Sequence, residues 1–251
     1  MKASSASRTV AAAVDDMNMH AGLSANIDDG YATLESRERD WIAEGRVPSG
    51  WKVGLTSPAA QRRFDADGPC FGRLFSDMSS PTGSTIEFGR FGSPRIEAEV
   101  AFRFGRDLLP DEPIFEAIAE VMPAIEIVDS RYPNGPPDLG ALIADNVSGA
   151  GFVLGPPTEF TSDFDFASCR ASVLRNGKIE CEGIGSECLG SPVNSLGWLV
   201  DELDRRGRRL RSGEIVLSGS LNVPLSVVPD DEIEVTLDSL GSVSVSFAGD
   251  S

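Results

Sequence analysis

The segment Arg95-Ile-Glu-Ala-Glu-Val-Ala-Phe102 alternates apolar and acidic side chains, and a period of two places successive side chains on opposite faces of a strand. Ile96, Ala98, Val100 and Phe102 then share a core-facing side. Glu97 and Glu99 share the other, with Cα atoms roughly 6.5–7 Å apart. Two carboxylates so placed can converge on one ion. Glu126, in Pro123-Ala-Ile-Glu-Ile-Val-Asp129, offers a third from a neighbouring strand. Three carboxylates that leave positions open for water or substrate suit Mg²⁺ or Mn²⁺, not a structural zinc. Spacing alone also fits solvated acids on the polar face of an amphipathic strand.

The rest of the chain narrows the classes. With 251 residues, 41% hydrophobic and 24% charged, it has the make-up of one globular domain, with or without an N-terminal appendage. A net charge of −17 repels phosphate backbones and anionic membranes, so neither nucleic acid nor a membrane surface is an expected partner. An anionic substrate would need a bound cation and a few placed basic groups. The four cysteines, Cys70, Cys169, Cys181 and Cys188, form no CxxC pair, and His20 is the sole histidine. That excludes a zinc finger and points to free thiols in a reducing compartment. The apolar run from Val10 to Val14 is cut by Asp15 and Asp16, too early for an export signal. No stretch reaches the roughly 18 apolar residues of a membrane span, so a cytoplasmic protein is expected.

Along the chain, residues 1–27 read as a loosely held helix plus a tail. Helical spacing of Tyr31, Leu34, Trp41 and Ile42 marks 31–44 as a helix, stopped by Gly45 and Pro48. A strand is expected at 51–56, a helical turn at 57–64 and a loop at 65–72. Strands follow at 84–91 and 95–104. A helix is expected from Asp111, with Ile114, Phe115, Ile118, Val121 and Met122 as its apolar stripe. Further strands are read at 124–129 and 149–154, either side of a long loop at 131–142. Asn176-Gly177 marks a hairpin over 171–182, Pro192 opens a helix to about Arg206, and strands at 214–217, 232–237 and 242–247 close the fold. Many strands and few helices imply an α+β class built on a mixed sheet.

Seven motifs occur in order: Gly50-Trp-Lys-Val-Gly-Leu-Thr-Ser57, Cys70-Phe-Gly-Arg-Leu-Phe-Ser-Asp-Met78, Arg95-Ile-Glu-Ala-Glu99, Pro123-Ala-Ile-Glu-Ile-Val-Asp-Ser-Arg131, Ala144-Asp-Asn-Val-Ser148, Leu189-Gly-Ser-Pro-Val-Asn194 and Leu217-Ser-Gly-Ser220. From about Tyr31 to Phe247 the chain resembles the hydratase/decarboxylase family typified by 2-keto-4-pentenoate (2-hydroxypentadienoate) hydratase, within the fumarylacetoacetate hydrolase fold superfamily. The resemblance implies a mixed β-roll, with an N-terminal helical region over residues 1–50 and a catalytic β-roll domain over residues 51–251. It implies Mg²⁺ or Mn²⁺ held by Glu97, Glu99 and Glu126, and catalytic roles for Lys52 and Asp77. Asn146, Ser148 and Ser220 are the substrate-contacting candidates, and a homo-oligomer, with association to a pathway enzyme, is expected.

The implied reaction is hydration of a 2-hydroxy-2,4-dienoate to a 4-hydroxy-2-oxo acid in aromatic meta-cleavage catabolism. A 2-oxo acid chelates a dication through its carboxylate and keto oxygens, and the ion stabilises the dienolate. Lys52 would shuttle a proton and Asp77 would act as base. The chief alternative is a 2-oxo-3-hexenedioate decarboxylase, whose second substrate carboxylate Arg73 or Arg131 could receive. An acylpyruvate C–C hydrolase and a non-catalytic partner of a lyase are further alternatives. Two departures stand out: Ser191 occupies the position of a histidine common in relatives, and the loop after Arg131 differs from the family's usual segment.

Overall fold

The computed structural model describes residues 27–249; His20 and nearly all of the expected 1–27 segment lie outside them. Helix α1 (Ile27–Ala43) turns Tyr31, Leu34 and Glu38 inward, and β1 (Pro48–Gly54), α2 (Pro58–Arg63) and β2 (Cys70–Phe75) follow. The expected division at residues 50/51 falls inside β1. Next come β3 (Ser79–Pro81), β4 (Ser84–Glu87), β5 (Arg95–Phe104), β6 (Ile118–Val128), α3 (Leu139–Ala144), β7 (Gly149–Leu154) and β8 (Thr158–Glu159). The chain ends with β9 (Arg170–Arg175), β10 (Lys178–Ile184), α4 (Pro192–Arg205), β11 (Ile215–Leu217), β12 (Leu225–Ser226), β13 (Glu232–Leu237) and β14 (Gly241–Ala248).

Two mixed sheets form the roll. One runs β2-β1-β11-β5-β6-β7-β3, with β12 beside β5 and β8 beside β6; the other runs β10-β9-β13-β14-β4. Strand β5 behaves as its period of two requires. Ile96, Ala98, Val100 and Phe102 join the main core with Val235, Val245 and Phe247 of the second sheet. Its other face puts Ala101 into a smaller cluster with Leu74, Met122, Ala124 and Leu217, on the side that carries Glu97 and Glu99. The α+β roll expected from the sequence is the fold observed. Among the described residues no helix is long and apolar enough to cross a membrane.

The strand expected at 84–91 ends at Glu87, with a 3₁₀ turn at Phe88–Arg90 after it, and three further local expectations need correction. The helix expected from Asp111 is a single 3₁₀ turn at Ile114–Glu116 followed directly by β6. The spacing of Ile118, Val121 and Met122 suits either element, but Pro123 would break a helix. An apolar run buried on both faces is a central strand instead, and β6 pairs with β5 along nearly its whole length. The loop expected at 65–72 gives way at Cys70 to fully buried β2. The loop at 131–142 ends early because Asp138 caps α3, its Oδ1 accepting from Ala141 N at 2.8 Å.

Candidate active site

Antiparallel pairing of β5 with β6 sets Glu97 directly across from Glu126 and Glu99 across from Ala124. One carboxylate oxygen from each of Glu97, Glu99 and Glu126 lies within 4.8 Å of the others. Like charges facing one another across a sheet repel, and here Glu99 and Glu126 are also almost fully buried. Glu99 Oε1 and both carboxylate oxygens of Glu126 are buried without a hydrogen-bond donor. Glu126 Oε1 has only its ion pair with Lys52 Nζ, at 3.1 Å. Orphaned, convergent, anionic oxygens are the donor set of a hard dication, so these residues fit the group expected of them.

Electrostatics of the carboxylate cluster follow from this crowding. Burial and the Glu126 charge push Glu97 up to about 7. Glu99 is held well above the ordinary carboxylate range by burial, then by Glu126 and Glu97. Burial also raises Glu126, against the opposing pull of Lys52. For Lys52, burial works to lower the pKa, but Glu126, Glu97 and Glu99 outweigh it and leave the ammonium above its ordinary value.

Sheet order brings Lys52 to the acids. In β1 it pairs with Leu217 of β11, and Leu217 in turn faces Ala101 of β5, so lysine and acids share one face. Lys52 Nζ also donates to the Val147 carbonyl at 3.0 Å. That carbonyl is aimed by a left-handed run of three residues, Asn146 (φ 55°), Val147 (φ 52°) and Ser148 (φ 55°). A β-branched valine in this region is a genuine outlier, costing about 1–3 kcal/mol that the surroundings must offset. Asn146 clamps the run to β2: its Oδ1 accepts from Arg73 N at 2.7 Å and its Nδ2 donates to Arg73 O at 2.9 Å. Gly54 leaves room for the turn, since a Cβ there would meet Val147 Cγ1 at 2.4 Å.

A cavity of about 780 Å³ opens over this face, lined among others by Lys52, Glu97, Ser130, Ser148 and Ser220. Of the residues predicted from the sequence, Lys52, Glu97, Ser148 and Ser220 line it, and Glu99 and Glu126 cluster with Glu97 at its wall. The Ser220 hydroxyl donates to the Asn222 carbonyl at 2.7 Å. Asn146 stands behind the wall with its amide fully engaged on β2. Asp77 is not gathered in: its side chain is 55% exposed and is gripped by Arg46, at 2.8 Å to Oδ2 and 3.0 Å to Oδ1. Arg73 is buried in ion pairs with Glu38 and Glu214, and Arg131 is held by Asp145 at 3.1 Å. Ser191 precedes α4 as its cap residue, with no side-chain capping bond.

Sequence reasoning missed the backbone contributors. Gly219 N donates to Glu99 Oε2 at 2.8 Å, orienting that carboxylate, and the Val147 carbonyl holds the lysine. Neither is a side chain, so no residue pattern announces them; the Ser-Gly-Ser element was the nearest available signal.

Comparison with known proteins places this geometry. The chain superposes on 4-oxalocrotonate decarboxylase from Pseudomonas putida G7, solved with magnesium and adipate, at a TM-score of 0.84 and 27% identity, covering 98% of this chain and 100% of that one. Fumarylpyruvate hydrolase from Pseudomonas aeruginosa, solved with Mn²⁺ and pyruvate, shares the fold at a TM-score of 0.64 and 19% identity, covering 81% of this chain and 91% of that one. The fold class is that of the fumarylacetoacetate hydrolase superfamily. Sequence likeness goes further: 2-keto-4-pentenoate hydratase 1 of Dechloromonas aromatica (strain RCB) is 42% identical over 228 residues, 89% of this chain and 87% of that protein. TodF product hydratase of Pseudomonas putida F1 is 38% identical, covering 89% of this chain and 85% of that protein. The 2-oxo-hept-4-ene-1,7-dioate hydratase of Escherichia coli is 35% identical, covering 88% and 86%. This chain belongs to the 2-keto-4-pentenoate hydratase family. No protein-family model matches it.

Proposed function

We propose that this chain is a hydro-lyase that needs Mg²⁺ or Mn²⁺ and adds water to a 2-hydroxy-2,4-dienoate, giving a 4-hydroxy-2-oxo acid in aromatic meta-cleavage catabolism. The observation that carries the reading is the trio of carboxylate oxygens within 4.8 Å, with the Lys52 ammonium beside them on a cavity wall. A dication held by Glu97, Glu99 and Glu126 supplies Lewis-acid stabilisation of negative charge on the substrate's 2-oxo oxygen.

Lys52 moves the protons. Its ammonium donates to C5 as the dienol gives up its 2-hydroxyl proton to solvent and becomes the 2-oxo-3-enoate, whose C4 is then electrophilic. The amine so formed takes a proton from the water adding at C4 and returns it to C3, and a solvent proton then restores the ammonium. Ser220 touches substrate from the cavity wall and Ser148 faces the same space beside it, while Asn146 acts through the turn it clamps. Asp77 lies outside the cavity, so proton transfer is assigned to Lys52 alone.

Hydratase is favoured over decarboxylase because relatives at 35–42% identity are hydratases. In addition, the two arginines nominated for a second substrate carboxylate are committed elsewhere. The reading includes a homo-oligomer, association with a pathway enzyme and a cytoplasmic location. Its test is the ultraviolet absorbance of a 2-hydroxydienoate mixed with the purified chain, with CO₂ followed in parallel on a dicarboxylic 2-oxo-enoate. Absorbance should fall with Mg²⁺ or Mn²⁺ and stay flat after chelation, without CO₂ release. Chelator-resistant turnover overturns the cation requirement, and stoichiometric CO₂ overturns the hydratase reading.

A further inference from the structure

The Asp145 carboxylate is almost wholly buried, yet it has no contact with the acidic cluster among its hydrogen bonds. Instead it gathers two cavity hydroxyls. Its Oδ2 accepts from Ser130 Oγ at 2.9 Å and from Ser148 Oγ at 3.2 Å. Its oxygens also accept from Arg131 N at 3.3 Å and Arg131 Nη1 at 3.1 Å, and the Arg131 guanidinium balances its charge.

A hydroxyl has one proton to give, and a carboxylate can only accept. Both serine protons therefore point at Asp145. The Ser130 oxygen also accepts from Tyr132 N at 3.1 Å. Both serines line the cavity, so what they present to its contents is lone pairs. A group bound at that wall must be a hydrogen-bond donor. The 2-oxo-3-enoate that accepts water carries only carboxylate and keto oxygens, with no proton to offer there, whereas water has two. Ser148 is also adjacent in sequence to Val147, whose carbonyl holds Lys52 Nζ, so the acceptor wall and the lysine are neighbours.

We propose that Asp145 is a positioning residue that locks Ser130 and Ser148 as acceptors and so seats the water that is added to substrate. The assignment rests on the hydratase reading of the same site. Seated water donates one hydrogen bond to the serine pair and directs its other hydrogen at the Lys52 amine, which leaves an oxygen lone pair for C4. As the O–C4 bond forms, the C3–C4 π pair moves to the C2–C3 bond and the carbonyl pair to the 2-oxo oxygen. One water proton passes to Lys52, and the other remains on the new hydroxyl. Lys52 then returns its proton to C3.

Deuteration in D₂O separates the two halves of the reaction. With Mg²⁺ and 2-hydroxypenta-2,4-dienoate, label entering C5 reports ketonisation, and formation of the 4-hydroxy-2-oxo acid reports water addition. For Ser130→Ala, Ser148→Ala and Asp145→Asn, water addition should fall by about 10²-fold, the scale of a misplaced reactant. C5 labelling should stay within about threefold of wild type, with KM little changed. Should Asp145→Asn fail to fold, the two serine variants decide the matter. Labelling and hydration that fall together, or hydration that survives both serine variants, overturns the assignment. A wild-type chain that performs neither step overturns the hydratase reading itself, an outcome distinct from either variant result.

Discussion

Lys52 Nζ lies 3.1 Å from Glu126 Oε1 and 3.0 Å from the Val147 carbonyl oxygen, with both ionic side chains almost completely buried. Such a pair is stable only if its remaining valences are met, and Glu126 Oε2 has no donor. A cation shared with Glu97 and Glu99 would meet them. Glu126→Gln should therefore lose Mn²⁺ binding in a calorimetric titration, and with it turnover. Lys52→Met should keep Mn²⁺ and lose about 10²–10⁴-fold in kcat, the span of a general acid–base group. Normal turnover by Glu126→Gln would remove the metal assignment.

Acidity of the cluster makes the metal-free protein pH-sensitive in a defined direction. Glu97 titrates at about 7 in the folded chain, above its ordinary 4.5, so the folded state holds this proton more tightly than the unfolded state does. Stability from this group is complete below its ordinary value and is lost as pH rises through about 7. In chelator, Tm should fall from about pH 5 to about pH 8, less so in Glu97→Gln. Added Mn²⁺ needs the ionised carboxylates, so its stabilisation should grow over the same window. A chelated Tm slope unchanged by Glu97→Gln would contradict the cluster's geometry.

Gly219 tests how tightly Glu99 is oriented. Its φ of 103° disfavours any side chain, and a Cβ would sit 2.5 Å from Thr56 Cγ2. Gly219→Ala should cost roughly 1–3 kcal/mol in thermal unfolding. By shifting the N–H that holds Glu99 Oε2, it should also weaken Mn²⁺ in the same titration. Unaltered affinity would show that this hydrogen bond does not orient the ligand.

Asp77 separates motif from position. Its exposed pairing with Arg46, whose guanidinium lies 4.3 Å from the Phe75 ring centroid, is the kind of contact that contributes about 0–1 kcal/mol. Steady-state assay of Asp77→Asn should give kcat and KM close to wild type. A large loss in kcat would restore the base role implied by the family resemblance.

Much of this was legible in the sequence because alternation and motif order are local. β5 runs over the expected residues, the Asn176-Gly177 hairpin forms between β9 and β10, and α4 buries Leu196, Leu199 and Leu203 as its spacing requires. The segment after Asp111 was misread because its short apolar run satisfies two periodicities. Only pairing with β5 chooses between them.

By itself the sequence determined the α+β class and the family and nominated the three acids and Lys52, since each rests on residue identity at short range. Tertiary structure alone decided which candidates share a cavity. It drew Ser148 in, left Asp77 on the surface, engaged Asn146 with β2 and turned two serine hydroxyls toward Asp145. Those outcomes depend on strand register and on backbone groups from distant segments: the Val147 carbonyl and the Gly219 N–H. Hydrogen-bond direction in a buried site is set by what surrounds each polar atom, and that neighbourhood exists only after the chain has closed on itself.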